Sequence, residues 1–263
     1  MTEGLEILRS KKLFVLDMDG TFYLGDKLIE GSLGFLEKLK ETGREFLFFT
    51  NNSSKNGSFY KQKLAGMGCY VEENKIVTSG DVTIKFLKEN YPDKGVYLVG
   101  TELLGESFKK GGVRLAGDKP DIVVLSFDTT LTYEKMLKAC TFIRNGALFL
   151  ATHLDLNCPT EDGFMPDCGA MCAMVEAATG VKPKYLGKPF RETVDMIKLI
   201  TGRSADELAF VGDRLYTDIA TGVNSGITGI LVLTGETELK DVASSAVKPD
   251  FIFDSLAALG AEL

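Results

Sequence analysis

Apolar runs rich in β-branched and aromatic residues alternate along this chain with stretches in which apolar residues recur every three or four positions. The runs predict strands and the longer period predicts amphipathic helices. The predicted strands are residues 13–16, 45–50, 75–78, 96–99, 122–126, 148–151, 208–211, 228–233 and 250–253. The predicted helices are residues 32–42, 60–67, 82–90, 133–144, 170–179, 193–201 and 217–225. Near-continuous apolar strands joined by helices predict an α/β fold with a doubly wound parallel sheet, similar to a Rossmann core.

Polar residues follow three of the predicted strands at the point where each strand ends. Asp17 and Asp19 follow the first strand, Thr50 ends the second, and Asp213 follows the strand 208–211. Ligands of a parallel sheet bind at the carboxyl ends of its strands, so these residues predict one functional site.

Each of these signals also has a simpler interpretation. Asp19 with the next glycine is typical of a turn, and Thr50 is typical of a helix cap. Asp218, at the start of a predicted helix, suits the helix dipole. Lys188 lies between Gly187 and Pro189, which favours a directed ammonium group over an ordinary solvated lysine.

Convergence of these acids would be costly without a cation. Two unit charges about 4 Å apart repel by ~4 kcal/mol at an effective dielectric constant of 20. Carboxylate oxygens, together with water and phosphate, are ligands that Mg²⁺ prefers. The pattern therefore predicts a Mg²⁺ site.

The spacing of the motifs predicts an inserted domain. Thr50 follows Asp17 by 33 residues, the length of one strand–helix–strand unit, but Lys188 lies 138 residues beyond Thr50. That interval is too long for one crossover and carries its own strand and helix pattern. We predict a core formed by residues 1–80 and 184–263, and an inserted α/β cap domain formed by residues 81–183.

Composition narrows the classes of partner. The net charge of −7 argues against nucleic acid or an anionic membrane surface, and no apolar run approaches the ~18 residues of a membrane span. The first twelve residues lack a secretory signal, and the five irregularly spaced cysteines are typical of reduced thiols, so we expect a cytoplasmic protein. Cys158, Cys168 and Cys172 near His153 match no zinc motif.

The motifs together resemble the haloacid dehalogenase-like hydrolase superfamily, in its subfamily IIA of NagD-like and 4-nitrophenyl-phosphatase-like enzymes. The resemblance covers nearly the whole chain, and those enzymes insert a large α/β cap between the threonine and lysine motifs, as predicted here. The residues that carry it are Asp17-Met18-Asp19-Gly20-Thr21, Thr50-Asn51-Asn52-Ser53, Lys188 and Gly212-Asp213-Arg214-Leu215-Tyr216-Thr217-Asp218.

The resemblance implies a Mg²⁺-dependent phosphatase that acts on small phosphate monoesters such as sugar phosphates, nucleotides or aryl phosphates. It implies that Asp17 is the nucleophile and that Asp19 is the general acid and then the general base. Thr50 and Lys188 would hold the phosphoryl oxygens. Asp17, Asp213 and the backbone carbonyl of Asp19 would bind the metal, and Asp218 would support them.

The resemblance also implies substrate contacts in the cap. The loop after the predicted strand 148–151 offers His153, Asp155 and Asn157, for which an ordinary polar loop is the simpler interpretation. Residues next to Thr50 are further candidates, namely Asn51, Asn52 and Ser53. Residues 161–163 are typical of a turn, and the aromatic residues 22–23 suit a small flap over the site.

Three other functions remain open at this point. A receiver module uses similar acids but is about half this length, and an inactive scaffold would not need every catalytic position. A phosphotransferase would pass the phosphoryl group to another alcohol. Related enzymes are often dimers, so the resemblance also makes a homodimer a candidate.

Overall fold

A computed structural model describes residues 2–160 and 163–263, so Glu161 and Asp162 of the predicted turn lie outside the described residues. The strands are β1 (Leu13–Leu16), β2 (Tyr23–Leu24), β3 (Lys27–Leu28), β4 (Glu45–Thr50), β5 (Ile76–Thr78), β6 (Val96–Val99), β7 (Ile122–Leu125), β8 (Leu148–Ala151), β9 (Asn157–Thr160), β10 (Gly163–Pro166), β11 (Lys184–Tyr185), β12 (Leu208–Gly212), β13 (Thr228–Val232) and β14 (Phe251–Phe253).

The helices cover the sheets that these strands form. They are α1 (Thr2–Ser10), α2 (Ser32–Glu41), α3 (Gly57–Gly66), α4 (Ser79–Asn90), α5 (Glu102–Lys110), α6 (Tyr133–Arg144), α7 (Cys168–Thr179), α8 (Arg191–Thr201), α9 (Ala220–Val223), α10 (Leu239–Ser244) and α11 (Leu256–Ala261). A π-helical turn, Leu215–Ile219, precedes α9. None of the helices within the described ranges is long and apolar enough to cross a membrane.

The chain divides into two compact units, which are described separately. The first unit comprises residues 2–50, 60–77 and 193–263. Its sheet has the strand order β14-β13-β12-β1-β4-β5, and the strands from β14 to β4 run parallel. Strand β1 lies in the middle of this sheet and all four of its side chains are buried, which explains its continuous apolar sequence.

The second unit comprises residues 51–59 and 78–192. Its four-stranded parallel sheet has the order β11-β8-β7-β6, and β9 and β10 form a separate antiparallel hairpin. The apolar faces of α6 and α7 pack on this sheet around Val123, Phe149 and Val175. Each unit therefore has its own core.

The predicted fold class, an α/β fold with a parallel central sheet covered by helices, is confirmed. All nine predicted strands are present with small differences at their ends. The sequence did not predict the hairpins β2–β3 and β9–β10, strand β11, or helices α1, α5, α10 and α11. Strand β11 pairs with β8 of the second unit. The domain boundaries 1–80, 81–183 and 184–263 stay a prediction.

Candidate active site

Asp17 lies at the carboxyl end of the central strand of the first unit. Its backbone N–H donates to the carbonyl oxygen of Val211 at 2.9 Å, which continues the pairing of β1 with β12 past the last residue of β1. The Asp17 side chain is buried. The carboxylate is therefore attached next to the buried centre of the sheet.

The strand register brings the other two motifs to the same edge. Leu16 lies opposite Phe48 of β4 and opposite Val211 of β12. Thr50 and Asp213 each come two residues after those partners, and both are buried. Parallel register alone thus places three of the predicted site residues at adjacent strand ends.

Asp213 is held by groups from two distant parts of the chain. One of its carboxylate oxygens accepts a hydrogen bond from the Thr21 hydroxyl at 3.2 Å, and the other accepts from the backbone N–H of Glu236 at 2.7 Å. A Cβ atom on Gly20, whose φ is +85°, would lie 2.6 Å from this carboxylate, and one on Gly235 would overlap it. Glycine is therefore required at both positions for the chain to pass so close to Asp213.

Three carboxylates converge in the first unit. Asp17, Asp213 and Asp218 are buried, and each offers an oxygen atom within 4.8 Å of the other two. Burial, and next the charge of Asp218, raise the pKa of Asp213 to about 6. The π-helical turn brings Asp218 back toward the strand end, where its carboxylate accepts from the backbone N–H of Arg214 at 3.1 Å.

These residues fit a divalent cation such as Mg²⁺. The ligand atoms are hard carboxylate oxygens, and the elevated pKa of Asp213 means that nearby positive side chains do not offset its burial and its repulsion by Asp218. A cation among the three carboxylates would favour the ionised form of each.

Asp19 lies in a different environment from Asp17. It is half-buried, and burial raises its pKa, whereas the charges of Lys63 and Arg214 lower it. The backbone N–H of Gly20 donates to the carbonyl of Tyr23 at 2.8 Å, which closes a tight turn beside Asp19 and leads into the hairpin β2–β3. A carboxyl group with a raised pKa is suited to donate a proton to a leaving group.

In the second unit, Lys188 is buried and its backbone is held by Asn51. The N–H of Lys188 donates to Asn51 Oδ1 at 2.8 Å, and Asn51 Nδ2 donates to the carbonyl of Lys188 at 3.2 Å. Asn51 Nδ2 also donates to Asp155 Oδ2 at 3.1 Å. The structure thus brings together three of the predicted residues.

His153 and Ser53 belong to the same buried group of residues. His153 Nε2 lies 2.9 Å from Asp167 Oδ1, and Nδ1 lies 2.9 Å from the Thr152 hydroxyl. The Ser53 hydroxyl lies 2.9 Å from that of Thr152. His153 has no exposed surface, so the imidazole acts on its protein neighbours.

Two predicted substrate contacts lie in other settings. Asn52 is half-buried, and its side-chain oxygen accepts from both the N–H and the hydroxyl of Ser54, which forms an Asx-type turn. Asn157 is exposed at the start of β9, opposite Pro166 of the hairpin. Asn157 therefore lies on the hairpin, outside the buried group around His153.

The sequence interpretation missed several residues that shape these sites. Thr21 and the segment 234–237 hold Asp213, while Ser79, Thr152 and Asp167 surround His153. A signal existed for the segment 234–237, because Gly235 follows an apolar strand between two polar residues. None existed for Asp167, which lies fourteen residues after His153.

Known proteins match this chain over most of its length. Residues 14–114 match the family model described as haloacid dehalogenase-like hydrolase, and residues 185–259 match one described as HAD-hydrolase-like. The crystal structure of a 4-nitrophenylphosphatase from Thermotoga maritima superimposes with a TM-score of 0.94 at 46% identity, covering 97% of this chain and 98% of that one.

Curated relatives extend over the same length. An acid sugar phosphatase from Staphylococcus aureus is 36% identical over 259 residues, which is 97% of this chain and 99% of that protein. The 5′-nucleotidase YutF from Bacillus subtilis is 33% identical over 249 residues, which is 95% of this chain and 97% of that protein. The chain therefore belongs to the haloacid dehalogenase-like hydrolases, in the branch of NagD-like and 4-nitrophenylphosphatase-like phosphatases, and is a phosphoric monoester hydrolase.

Proposed function

We propose that this phosphatase hydrolyses small phosphate monoesters with Mg²⁺ and through a phosphoaspartate on Asp17. The observation that carries the proposal is the convergence of Asp17, Asp213 and Asp218 at the carboxyl end of the sheet. Three buried carboxylates in this position suit a divalent cation, which they would hold through hard oxygen ligands and which would offset negative charge beside a phosphoryl group.

Asp17 carries out the first step. One oxygen of its carboxylate attacks phosphorus in line with the leaving oxygen, the P–O bond to the substrate breaks, and an aspartyl phosphate forms. Bound Mg²⁺ would neutralise the negative charge of the carboxylates and of the transferring group, and Asp17, Asp213 and the carbonyl of Asp19 would hold it, supported by Asp218.

Asp19 moves the protons. In the first step it donates a proton to the leaving alkoxide, and in the second it accepts a proton from the water that attacks the aspartyl phosphate. The Asp17 carboxylate is thereby regenerated and inorganic phosphate is released. The burial of Asp19 favours the protonated form that the first step needs. Thr50 and the Lys188 ammonium hold the phosphoryl oxygens.

The breadth of the substrate class follows the relatives, whose names cover 5′-nucleotides, sugar phosphates and 4-nitrophenyl phosphate. A small metabolite of one of these classes is the proposed substrate. Asn51, Asn52, Ser53, His153, Asp155 and Asn157 remain the proposed residues for selecting it, either by contact or by positioning. A homodimer and a cytoplasmic location stay predictions.

A phosphate-release assay tests this proposal. The purified protein is incubated with 4-nitrophenyl phosphate, sugar phosphates and nucleoside 5′-monophosphates, in Mg²⁺ and after removal of metal by EDTA. We expect release that needs Mg²⁺, and at least a 10³-fold loss in Asp17→Asn, because the amide is a poor nucleophile. Activity retained by Asp17→Asn would refute the assigned mechanism.

Added alcohols distinguish hydrolysis from transfer. With glycerol or ethylene glycol as acceptor, a hydrolase releases inorganic phosphate at the rate at which the substrate is consumed. A phosphotransferase consumes substrate faster than it releases phosphate and forms a new ester.

A further inference from the structure

The side-chain amide of Asn51 holds the backbone of Lys188 on both sides. It accepts from the Lys188 N–H at 2.8 Å and donates to the Lys188 carbonyl at 3.2 Å. The amide can make both hydrogen bonds in only one orientation. A third hydrogen bond, from Asn51 Nδ2 to Asp155 Oδ2 at 3.1 Å, fixes that orientation. The position of Lys188 therefore depends on the position of Asn51 and on the loop that carries Asp155. A Cβ atom on Gly187 would lie 2.6 Å from Asn51 Oδ1, so the approach is close.

His153 is connected to this arrangement through Ser79. Its Nδ1 lies 2.9 Å from the Thr152 hydroxyl and 3.4 Å from the hydroxyl of Ser79, which in turn donates to the backbone carbonyl of Asn51. Its Nε2 lies 2.9 Å from Asp167 Oδ1. His153 is two residues from Asp155 in the same loop, and its ring lies beside Ser79, which holds the Asn51 backbone. The buried histidine is therefore next to a support of the Asn51 backbone and belongs to the loop that supports its side-chain amide.

We propose that His153 is a positioning residue, which holds the Asn51 side chain against the backbone of Lys188 through Ser79 and through the loop that carries Asp155. The inference rests on the proposed function, in which the Lys188 ammonium holds a phosphoryl oxygen. It gives the histidine an indirect role, because a residue with no exposed surface does not contact a substrate.

The charges around His153 agree with this role. Burial lowers its pKa, but Asp167, Cys168 and Asp155 raise it by more, to about 9, and the hydroxyls of Thr152 and Ser79 also face the ring. The ring is therefore protonated at neutral pH and donates at both nitrogens.

A metal ion is the competing occupant of this place. His153, Asp155 and Asp167 each offer a ligand atom within 4.8 Å of the others. The geometry favours a proton, because Asp167 Oδ1 lies at hydrogen-bond distance from Nε2 and also accepts from the backbone N–H of Cys168 at 2.6 Å. The imidazolium thus takes the place that a cation would take.

A double-mutant cycle tests the inference. His153→Gln, Asn51→Ala and the double variant are compared with the wild type for kcat, for KM with 4-nitrophenyl phosphate, and for inhibition by orthovanadate, which binds where a phosphoryl group binds. We expect each single variant to raise KM and to weaken vanadate inhibition about 10-fold. The double variant should be no more than about 3-fold worse than either, because both remove the same restraint.

Val175→Ala is the matched control. Val175 is buried in α7 of the same unit, so its truncation destabilises the core without touching the Asn51 amide. It should leave KM and vanadate inhibition within twofold at a temperature at which the protein stays folded. His153→Phe, which fills the volume without any donor, replaces His153→Gln if the latter does not fold.

Three results overturn the inference and are distinguishable from failure of the proposed function. The first is vanadate inhibition in His153→Gln that matches the wild type, and the second is single effects that multiply in the double variant. The third is an increase in melting temperature on adding zinc to Asp213→Asn that is lost when His153→Gln is added, since it would assign this cluster to a metal. Wild-type protein without Mg²⁺-dependent activity refutes the proposed function instead.

Discussion

Replacing Asp213 by Asn is expected to stabilise the metal-free protein while abolishing its activity. The Asp213 carboxylate is 1% exposed, and burial together with Asp218 raises its pKa to about 6 from the ordinary value of 3.8. A pKa difference of roughly 2 is worth about 3 kcal/mol between the two protonation states. The metal-free protein bears this cost at neutral pH, and the neutral amide does not.

The way in which stability depends on pH follows from the rise in the pKa of Asp213 on folding. The contribution of this carboxyl group to stability is fully present below about pH 3.8, and it is lost as the pH rises to about 6, because the folded state binds the proton more tightly than the unfolded state. The advantage of Asp213→Asn should therefore grow with pH, and most of it should be present by about pH 6. The amide oxygen can still accept from the N–H of Glu236, so little is lost elsewhere.

Thermal unfolding in EDTA measures the effect. A gain of about 3 kcal/mol corresponds to a melting temperature higher by roughly 6–12 °C at pH 7.5. Mg²⁺ should raise the melting temperature of the wild type and leave that of Asp213→Asn unchanged, because binding to the folded state alone stabilises it. Equal melting temperatures of the two metal-free proteins from about pH 4 to pH 7.5 would refute the reasoning, since neither burial nor Asp218 would then raise the pKa of Asp213 in the folded state.

The remaining predictions concern the acid–base residue, two glycines and the buried histidine. Asp19→Asn should still form the aspartyl phosphate from 4-nitrophenyl phosphate, whose leaving group needs no proton, but should hydrolyse it at least 100-fold more slowly, which rapid-quench phosphorylation measures. Gly235→Ala should lose Mg²⁺ affinity by titration calorimetry, because its Cβ would overlap the Asp213 carboxylate. Gly34→Ala, in the open interior of α2, should instead gain about 0.5–1 kcal/mol and keep that affinity. The stability advantage of wild type over His153→Gln should be full below about pH 6.5 and lost by about pH 9, a change of about 3 kcal/mol in urea unfolding.

The central sheet could be predicted from sequence because its strands are buried on both faces. Residues 13–16 and 208–212 consist almost entirely of apolar residues and have no exposed position, and short apolar runs of this kind favour a central parallel strand over an amphipathic helix. The hairpin β2–β3 could not be predicted, since its strands have two residues each and depend on the turn around Gly20. Helix α5 was missed although its apolar residues Leu104 and Phe108 are buried at a spacing of four.

The candidate site likewise has positions that the sequence predicts and contacts that it does not. The positions of Asp17, Thr50 and Asp213 follow from strand ends, which the sequence marks. The contacts that hold Asp213 come from residues 192 and 23 positions away, and no local pattern reports such contacts. The partner of His153 Nε2 is likewise a residue distant in sequence, Asp167, which lies fourteen positions away.

Two buried clusters of aspartates among the described residues serve opposite purposes. In the first unit, Asp213 keeps an elevated pKa beside Asp218, so the cluster is most stable with a cation that the chain does not supply. In the second unit, the acids Asp155 and Asp167 face His153, whose imidazolium is a cation supplied by the chain itself. Only the first of these two clusters therefore gains from an added metal ion, which suits the first to catalysis and the second to the support of Lys188. The difference also requires that EDTA destabilise wild-type protein purified with Mg²⁺ and leave the Asp213→Asn protein unaffected, although His153 and its neighbours are intact in both.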